Sequence, residues 1–235
     1  YTRTLKYSTK CSNMNILMKV TSRGRPEILL DTVKKYLELA EDTKKMFWLF
    51  SFDVEDSKYM DNQFQLTLFE LIEGNGLFYT APNKSKIEAI NAGINGLPYN
   101  WDILLNISDD QIPVLKGYDN VIRNAMEGDL DRSLWFNDGW QNRINTQEIV
   151  GAKYYDRFKY LYQPEYKSFF CDNEATEVGL KLGKLKYNRI CLIKHFHPAW
   201  DKKSHIKMDE LYIKNNEFWK HDQDLFENRK RRGFK

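Results

Sequence analysis

Apolar runs of strand length alternate with helix-period segments through the first half of this chain, and few folds accommodate that alternation. Ile16-Leu17-Met18-Lys19-Val20 is a mostly apolar run, and the polar loop from Thr21 to Pro26 ends in a proline suited to the first turn of a helix. Leu29, Leu30, Val33, Tyr36, Leu37 and Ala40 recur at helical spacing before a second apolar run, Met46 to Phe52. Strand, helix and strand in that order make a βαβ unit. Leu77 to Thr80 reads as a further short strand, Asn83 to Lys86 opens a helix carrying Ile87, Ile90 and Ile94, and Trp101 to Ile107 supplies another strand. The pattern predicts an α/β protein with a parallel or mixed sheet and helices on both faces. Phe64 to Ile72 fits either period.

Past that point the pattern loosens. The spacing predicts a helix over Val114 to Met126 and a strand over Ser133 to Phe136, followed by the turn Asn137-Asp138-Gly139. Glu148 to Gly151 and Lys159 to Tyr162 are candidate short strands, and Asp172 to Leu182 has helical spacing. Arg189 to Lys194 is an apolar strand that delivers His195-Phe196-His197-Pro198 at its end, and Asp209 to Arg232 reads as one charged amphipathic helix. A chain of 235 residues suits one large domain with an appendage. The expected divisions are an extension over 1–13, the main domain over 14–200 and a helical appendage with a basic tail over 201–235.

A net charge of +3 is too mild to imply nucleic acid, although Arg229 to Lys235 is a concentrated basic tail that suits solvent or a phosphate-bearing surface. Three cysteines, widely scattered and with no CxxC pair, favour a reducing compartment over a zinc or redox motif. No apolar run approaches the roughly 20 residues needed to span a bilayer, so no transmembrane segment is expected and the expected location is cytoplasmic.

Chemistry concentrates at strand ends. Asp109 and Asp110 follow the apolar run Ile103 to Ile107 and precede Gln111-Ile112-Pro113, so two carboxylates stand where a buried strand emerges. Adjacent carboxylates repel, and a hard divalent cation relieves that repulsion while offering its remaining positions to substrate oxygens. An acidic turn capping a strand is the plainer alternative. Asp53, Glu55 and Asp56 close the second strand at its carboxyl end, the usual ligand side of an open α/β sheet.

The run from Lys86 to Gly93, an apolar strand, Ser108-Asp109-Asp110, then Phe170 to Glu174 opening a helix, and a strand ending in His195-Phe196-His197-Pro198 resemble, in that order, a GT-A glycosyltransferase. The resemblance covers most of Met14 to Pro198 and is nearest the small family-2-type transferases, including bacterial and phage-encoded ones, whose metal motif reads Ser-Asp-Asp. The chain departs from the commoner Asp-x-Asp pattern, with Ile107 in place of the leading aspartate.

The resemblance implies a GT-A, Rossmann-like fold with a mixed, mostly parallel central sheet and a C-terminal helix. It implies transfer of a sugar from a nucleotide-diphosphate donor, a UDP- or GDP-sugar, with Mn²⁺ or Mg²⁺. Asp109, Asp110, His195 and His197 are the implied metal ligands. Thr21, Ser22, Arg23, Asp53, Lys86, Ser108 and Asp109 are the implied donor-binding residues, with Asp53 accepting from a base N–H. Asp172, with Glu174, is the implied base at an acidic helix start, a place that also suits plain helix capping. Asp138 and Trp140 are expected beside the acceptor, a glycan or a hydroxylated DNA base. Competing readings are a sugar-nucleotide nucleotidyltransferase, against which no Gly-rich phosphate loop follows the first strand, and a non-catalytic nucleic-acid or glycan-binding module.

Overall fold

The structure, a computed structural model, describes residues 13–83, 85–197 and 210–235. The first βαβ unit is β1 (Ile16–Thr21), α1 (Pro26–Leu39) and β2 (Met46–Asp53), with Pro26 opening the helix. Then come α2 (Asn62–Leu71), β3 (Gly76–Ala81), α3 (Lys86–Asn91), β4 (Ile103–Ser108), β5 (Gln111–Pro113) and α4 (Tyr118–Met126). The remainder is β6 (Ser133–Phe136), β7 (Ile149–Gly151), α5 (Ala152–Tyr155), α6 (Cys171–Lys181), β8 (Leu185–Asn188), β9 (Ile193–His195), α7 (Glu210–Asn216) and α8 (Trp219–Arg231).

Among the described residues one sheet runs in the order β3-β2-β1-β4-β7-β6-β8, and β5 and β9 form a separate antiparallel pair. β3, β2, β1 and β4 are mutually parallel, β7 runs against β4 and β6, and β8 is parallel to β6. This is the mixed, mostly parallel sheet that the resemblance implies, and it falls within the parallel or mixed sheet that the alternation predicts. Because side chains alternate across a strand, β1 and β4 feed two cores. Ile16, Met18, Ile103 and Leu105 pack on the α1 side, and Leu17 and Leu104 pack with Ile87 and Ile90 of α3.

Several elements depart from the expected spans. Phe64 to Ile72 resolves as a helix: Asp61 caps α2 by accepting from Phe64 N at 2.7 Å, and Leu68 is buried. α4 starts at Tyr118, after Gly117 at φ 76, and Val114 and Leu115 stay exposed before it. Lys159 to Tyr162 is irregular, with Lys159 at φ 60; Leu161 N and Tyr162 N donate to Asn91 Oδ1 in place of a strand partner. The apolar strand expected over Arg189 to Lys194 is confined to β9, and Leu185–Asn188 is a strand the pattern did not mark.

The single helix expected over Asp209 to Arg232 is broken into α7 and α8 around Glu217 and Phe218. α8 is anchored in the core through Phe226, whose ring lies 5.7 Å from that of Phe170. Its basic end is engaged within the chain: Arg229 pairs with Glu174 and Glu165, and Lys230 with Glu177. No helix among the described residues is long and apolar enough to cross a membrane.

Candidate active site

β4 ends at Ser108, and the turn carrying Asp109 and Asp110 is held from below by α1. Thr32 Oγ1 donates to Asp109 O and the Tyr36 hydroxyl to Gln111 O, both at 3.0 Å. The two carboxylates are both buried, yet their surroundings differ. Asp109 accepts from the Ser22 hydroxyl through Oδ2 and from Arg25 at 3.2 Å through Oδ1. Ser22 shares a 2.6 Å hydrogen bond with the Tyr59 hydroxyl. Burial, reinforced by the charge of Asp110, pushes the Asp109 carboxyl up to about 6, with Arg25 and Ser22 opposing.

Asp110 Oδ2 accepts from the Tyr212 hydroxyl at 3.0 Å and lies 3.2 Å from His195 Nε2, while Oδ1 is buried with no hydrogen-bond partner among the described residues. Burial raises this carboxyl, but His195, Lys86 and His197 together outweigh it and hold the group well below the usual carboxylate range. His195 reaches Asp110 through strand pairing, because the β5–β9 register sets it opposite Gln111. Its ring meets that of His197 edge-on at 5.5 Å, and His197 meets Tyr212 at 5.0 Å. Burial and the neighbouring His195 lower His197 to about 4, so it is neutral near pH 7.

A solvent-open cleft of about 840 Å³ lies over the carboxyl ends of β1, β2 and β4. Every residue expected to bind the donor lines it: Thr21, Ser22, Arg23, Asp53, Lys86, Ser108 and Asp109. Asp53 is already engaged, since Arg23 donates to its Oδ2. α7 closes one side with Leu211, Tyr212, Lys214 and Asn215, and the Arg25 guanidinium sits 4.7 Å from the centre of the Tyr212 ring. Arg25, Tyr59 and Tyr212 escaped the sequence reading. Arg25 sits in the loop singled out after β1 and was within reach; nothing local to Tyr59 or Tyr212 marks either residue.

A second solvent-open cavity, of about 910 Å³ with the open space at its mouth included, adjoins the first, and Lys86 and Ser108 line both. Asp172, His195 and His197 line it, with Phe169, Phe170 and Trp219 as an aromatic wall. Burial raises the Asp172 carboxyl, opposed by the charge of Lys86 and by the Asn173 N–H at 2.9 Å. The wall is positioned by α8: fully buried Asp222 accepts from Lys167 N, Ser168 N and Phe169 N at 3.0, 2.7 and 2.8 Å. Phe170 follows at φ 59, a strained conformation for an aromatic residue.

Three expected site residues are placed otherwise. Glu174 lies two residues after Asp172 on α6 and turns away from this cavity; its carboxylate accepts from Arg229 at 2.8 and 2.9 Å and from the Tyr166 hydroxyl at 2.8 Å. Asp138 organises its own turn, accepting from Trp140 N, Gln141 and the Thr146 hydroxyl. Trp140 donates from Nε1 to His195 O at 2.6 Å and buttresses β9. Asp138 and Trp140 lie outside both linings.

Among the described residues no group of three or more His, Cys, Asp and Glu side chains is arranged to hold a metal ion. A divalent cation that takes most of its ligands from phosphate and water needs one or two protein carboxylates, not a complete cage. The unpartnered Oδ1 of Asp110 beside His195 fits that smaller requirement.

No protein-family model matches the chain, and no curated protein matches it. Its fold does match solved structures. A mannosyltransferase from Pyrobaculum calidifontis, PcManGT, solved with GDP-Man and Mn²⁺, superposes with a TM-score of 0.63 at 7% identity, over 77% of this chain and 56% of that one. S. aureus TarS 1–349 gives 0.59 at 8% identity, over 77% and 60%. GalNAc-T7 with UDP, GalNAc and Mn²⁺ gives 0.64 at 9% identity, over 80% and 44%. The class the fold defines is therefore GT-A, a Rossmann-like sheet with helices on both faces. At these identities the likeness is one of fold, and the chain spans between 44% and 60% of the structures it matches.

Proposed function

We propose that this chain is a glycosyltransferase that moves a sugar from a nucleotide-diphosphate donor, a UDP- or GDP-sugar, to an acceptor hydroxyl. The observation that carries the reading is the pair of adjoining cavities. One holds the expected donor residues with Asp109 and Asp110, the other holds Asp172, and Lys86 stands at their junction. In this reading the catalytic unit over 14–200 is completed by α7 and α8.

The nucleotide enters along the loop after β1 and the end of β2, with Thr21, Ser22 and Arg23 on one side and Asp53 on the other. A base amino or imino group reaches Asp53 by sharing it with Arg23. The diphosphate lies toward Lys86 and the aspartate turn. Asp110 and His195, with His197 close by, would hold Mn²⁺ or Mg²⁺, which offsets the negative charge that builds on the leaving diphosphate. Asp109 acts indirectly, by fixing Ser22 and Arg25 at the cleft wall. Asp172 takes the proton of the acceptor hydroxyl as its oxygen bonds to the anomeric carbon and the bond from that carbon to phosphate breaks. A carboxylate whose proton affinity is raised by burial suits that task, and the direct displacement inverts the anomeric centre.

A glycan acceptor is favoured over a hydroxylated DNA base. Arg229 and Lys230 of the basic tail are engaged by Glu174, Glu165 and Glu177, which weakens the tail as a phosphate-binding surface.

Thermal-shift measurements with UDP, GDP, CMP and dTDP, each with and without Mn²⁺, test the donor site. A nucleotide diphosphate should raise the melting temperature in the presence of metal, and Asp110→Asn should abolish that shift. No stabilisation of the native chain by any nucleotide sinks the proposal.

A further inference from the structure

α6 and α8 pack together and end together: Lys230 pairs with Glu177 at 2.6 Å, and Lys181 Nζ donates to Gly233 O at 3.2 Å. From Val178 to Asn188 the sequence has no acidic residue, and none follows Glu227. The two helix ends therefore bring two acid-free segments to one corner of the molecule. Some of its cations are engaged within the chain: Lys184 pairs with Asp131, Arg229 with Glu174 and Lys230 with Glu177. Lys181, Lys186, Arg231, Arg232 and Lys235 are exposed and have no carboxylate partner among the described residues.

The same corner keeps apolar side chains in water. Gly183, at φ 65, turns the chain from α6 into β8, with Lys184 N donating to Gly179 O at 2.9 Å. Leu180 is left 59% exposed, Leu182 43% and Tyr187 38%. Single exposed leucines are ordinary, but here three large apolar side chains fall between Leu180 and Tyr187, interleaved with Lys181, Lys184 and Lys186. The carbonyl ends of two helices attract cations and account for Lys181 and Arg231. They account neither for Lys186, which stands on β8, nor for the exposed leucines. Cations alone would suit any polyanion. Leucines and a tyrosine set among them suit a surface that lays negative headgroups over an apolar interior. We infer that this corner, the α6–β8 turn with the end of α8, docks on an anionic lipid surface. Leu180 and Leu182 enter the headgroup layer, and the unpaired lysines and arginines meet the lipid charges. These residues lie outside both cavity linings, so the inference stands apart from the glycosyl-transfer reading.

The test uses the full chain and phosphatidylcholine vesicles with and without phosphatidylserine, with binding read by cosedimentation at low and high salt. The chain should bind the anionic vesicles, not the neutral ones, and less well as salt rises. Leu180→Ser combined with Leu182→Ser should weaken that binding by about tenfold or more while the melting temperature stays native, because both side chains are exposed. Should the pair fail to fold, Leu180→Ser alone carries the same expectation in direction. Lys186→Glu combined with Arg232→Glu should weaken vesicle binding at least as much. Failure of the native chain to bind anionic vesicles overturns the inference, and so does equal binding by the native and serine-substituted chains. A duplex oligonucleotide that binds more tightly than the vesicles and ignores the leucine changes overturns it as well, in favour of nucleic acid. Vesicle binding by a chain showing no nucleotide thermal shift would keep the lipid-docking corner and remove the transferase reading; a nucleotide shift without vesicle binding would do the reverse.

Discussion

Asp109 has both oxygens occupied, by Ser22 and Arg25, whereas Asp110 keeps Oδ1 unpartnered, so substitutions at the two positions should separate folding from binding. Asp109→Ala removes a buried carboxylate that accepts from both Arg25 and Ser22 and should cost roughly 3–5 kcal/mol in denaturant unfolding. Asp110→Asn is close in volume but gives up a charge that its surroundings favour, so the chain should be less stable yet still fold, and it should lose the metal-dependent nucleotide shift. Reversed phenotypes would mean that the roles of the two aspartates are exchanged. Glu148 offers a pH signature away from this turn. Burial pushes its carboxyl up to about 7, against hydrogen bonds from the Ser133 hydroxyl at 2.9 Å and Asn145 at 3.0 Å. The folded chain holds this proton more tightly than the unfolded chain, so its contribution is fully present below the unfolded value and is lost as pH rises through about 7. The loss is on the order of 3 kcal/mol, and Glu148→Gln should remove that part of the pH dependence. Melting curves for the two chains that stay parallel from pH 5 to pH 8 would rule this out.

Two elements carry a contact whose loss can be read by itself. β7 approaches Leu130 so tightly that a Cβ on Gly151 would stand 2.1 Å from Leu130 O, a backbone atom that cannot yield as a side chain does. Gly151→Ala should therefore destabilise the chain by several kcal/mol, on the order of 3, by prying β7 from its neighbour. Chemical denaturation measures this directly, and a loss under about 0.5 kcal/mol would show that the strand has room to move. α8 acts on the second cavity through Asp222, which gathers the three N–H groups ahead of Phe170. Asp222→Asn keeps the volume and loses the charge-assisted acceptor, so amides 167–169 should exchange faster with solvent by about tenfold or more. Unchanged protection of those amides would deny Asp222 its positioning role.

At the scale of the whole molecule, the helices expected as an appendage are joined to the sheet by Phe226 in the core, by Asp222 on the aromatic wall and by Tyr212 on Asp110. Phe226→Ala should cost roughly 3–5 kcal/mol, and unfolding should remain one transition, coincident by tryptophan fluorescence and far-ultraviolet circular dichroism. A separate early transition for the helices would show that they fold apart from the sheet. Local pattern was enough to mark β1, α1, β2, β4 and α6, because periodicity and helix-end chemistry act within a few residues. The family resemblance, not local pattern, singled out Thr21 to Arg23, Asp53, Lys86, Ser108 and Asp109 together, and they line one cleft because in an open α/β sheet the parallel strand ends converge whatever the loops contain. Which carboxylate keeps an unpartnered oxygen, that Glu174 turns to Arg229, and that Tyr212 and Trp219 reach the two cavities were decided by the tertiary structure. Each depends on side chains far apart in the chain meeting through strand register and helix docking, and no spacing within a segment encodes such a meeting.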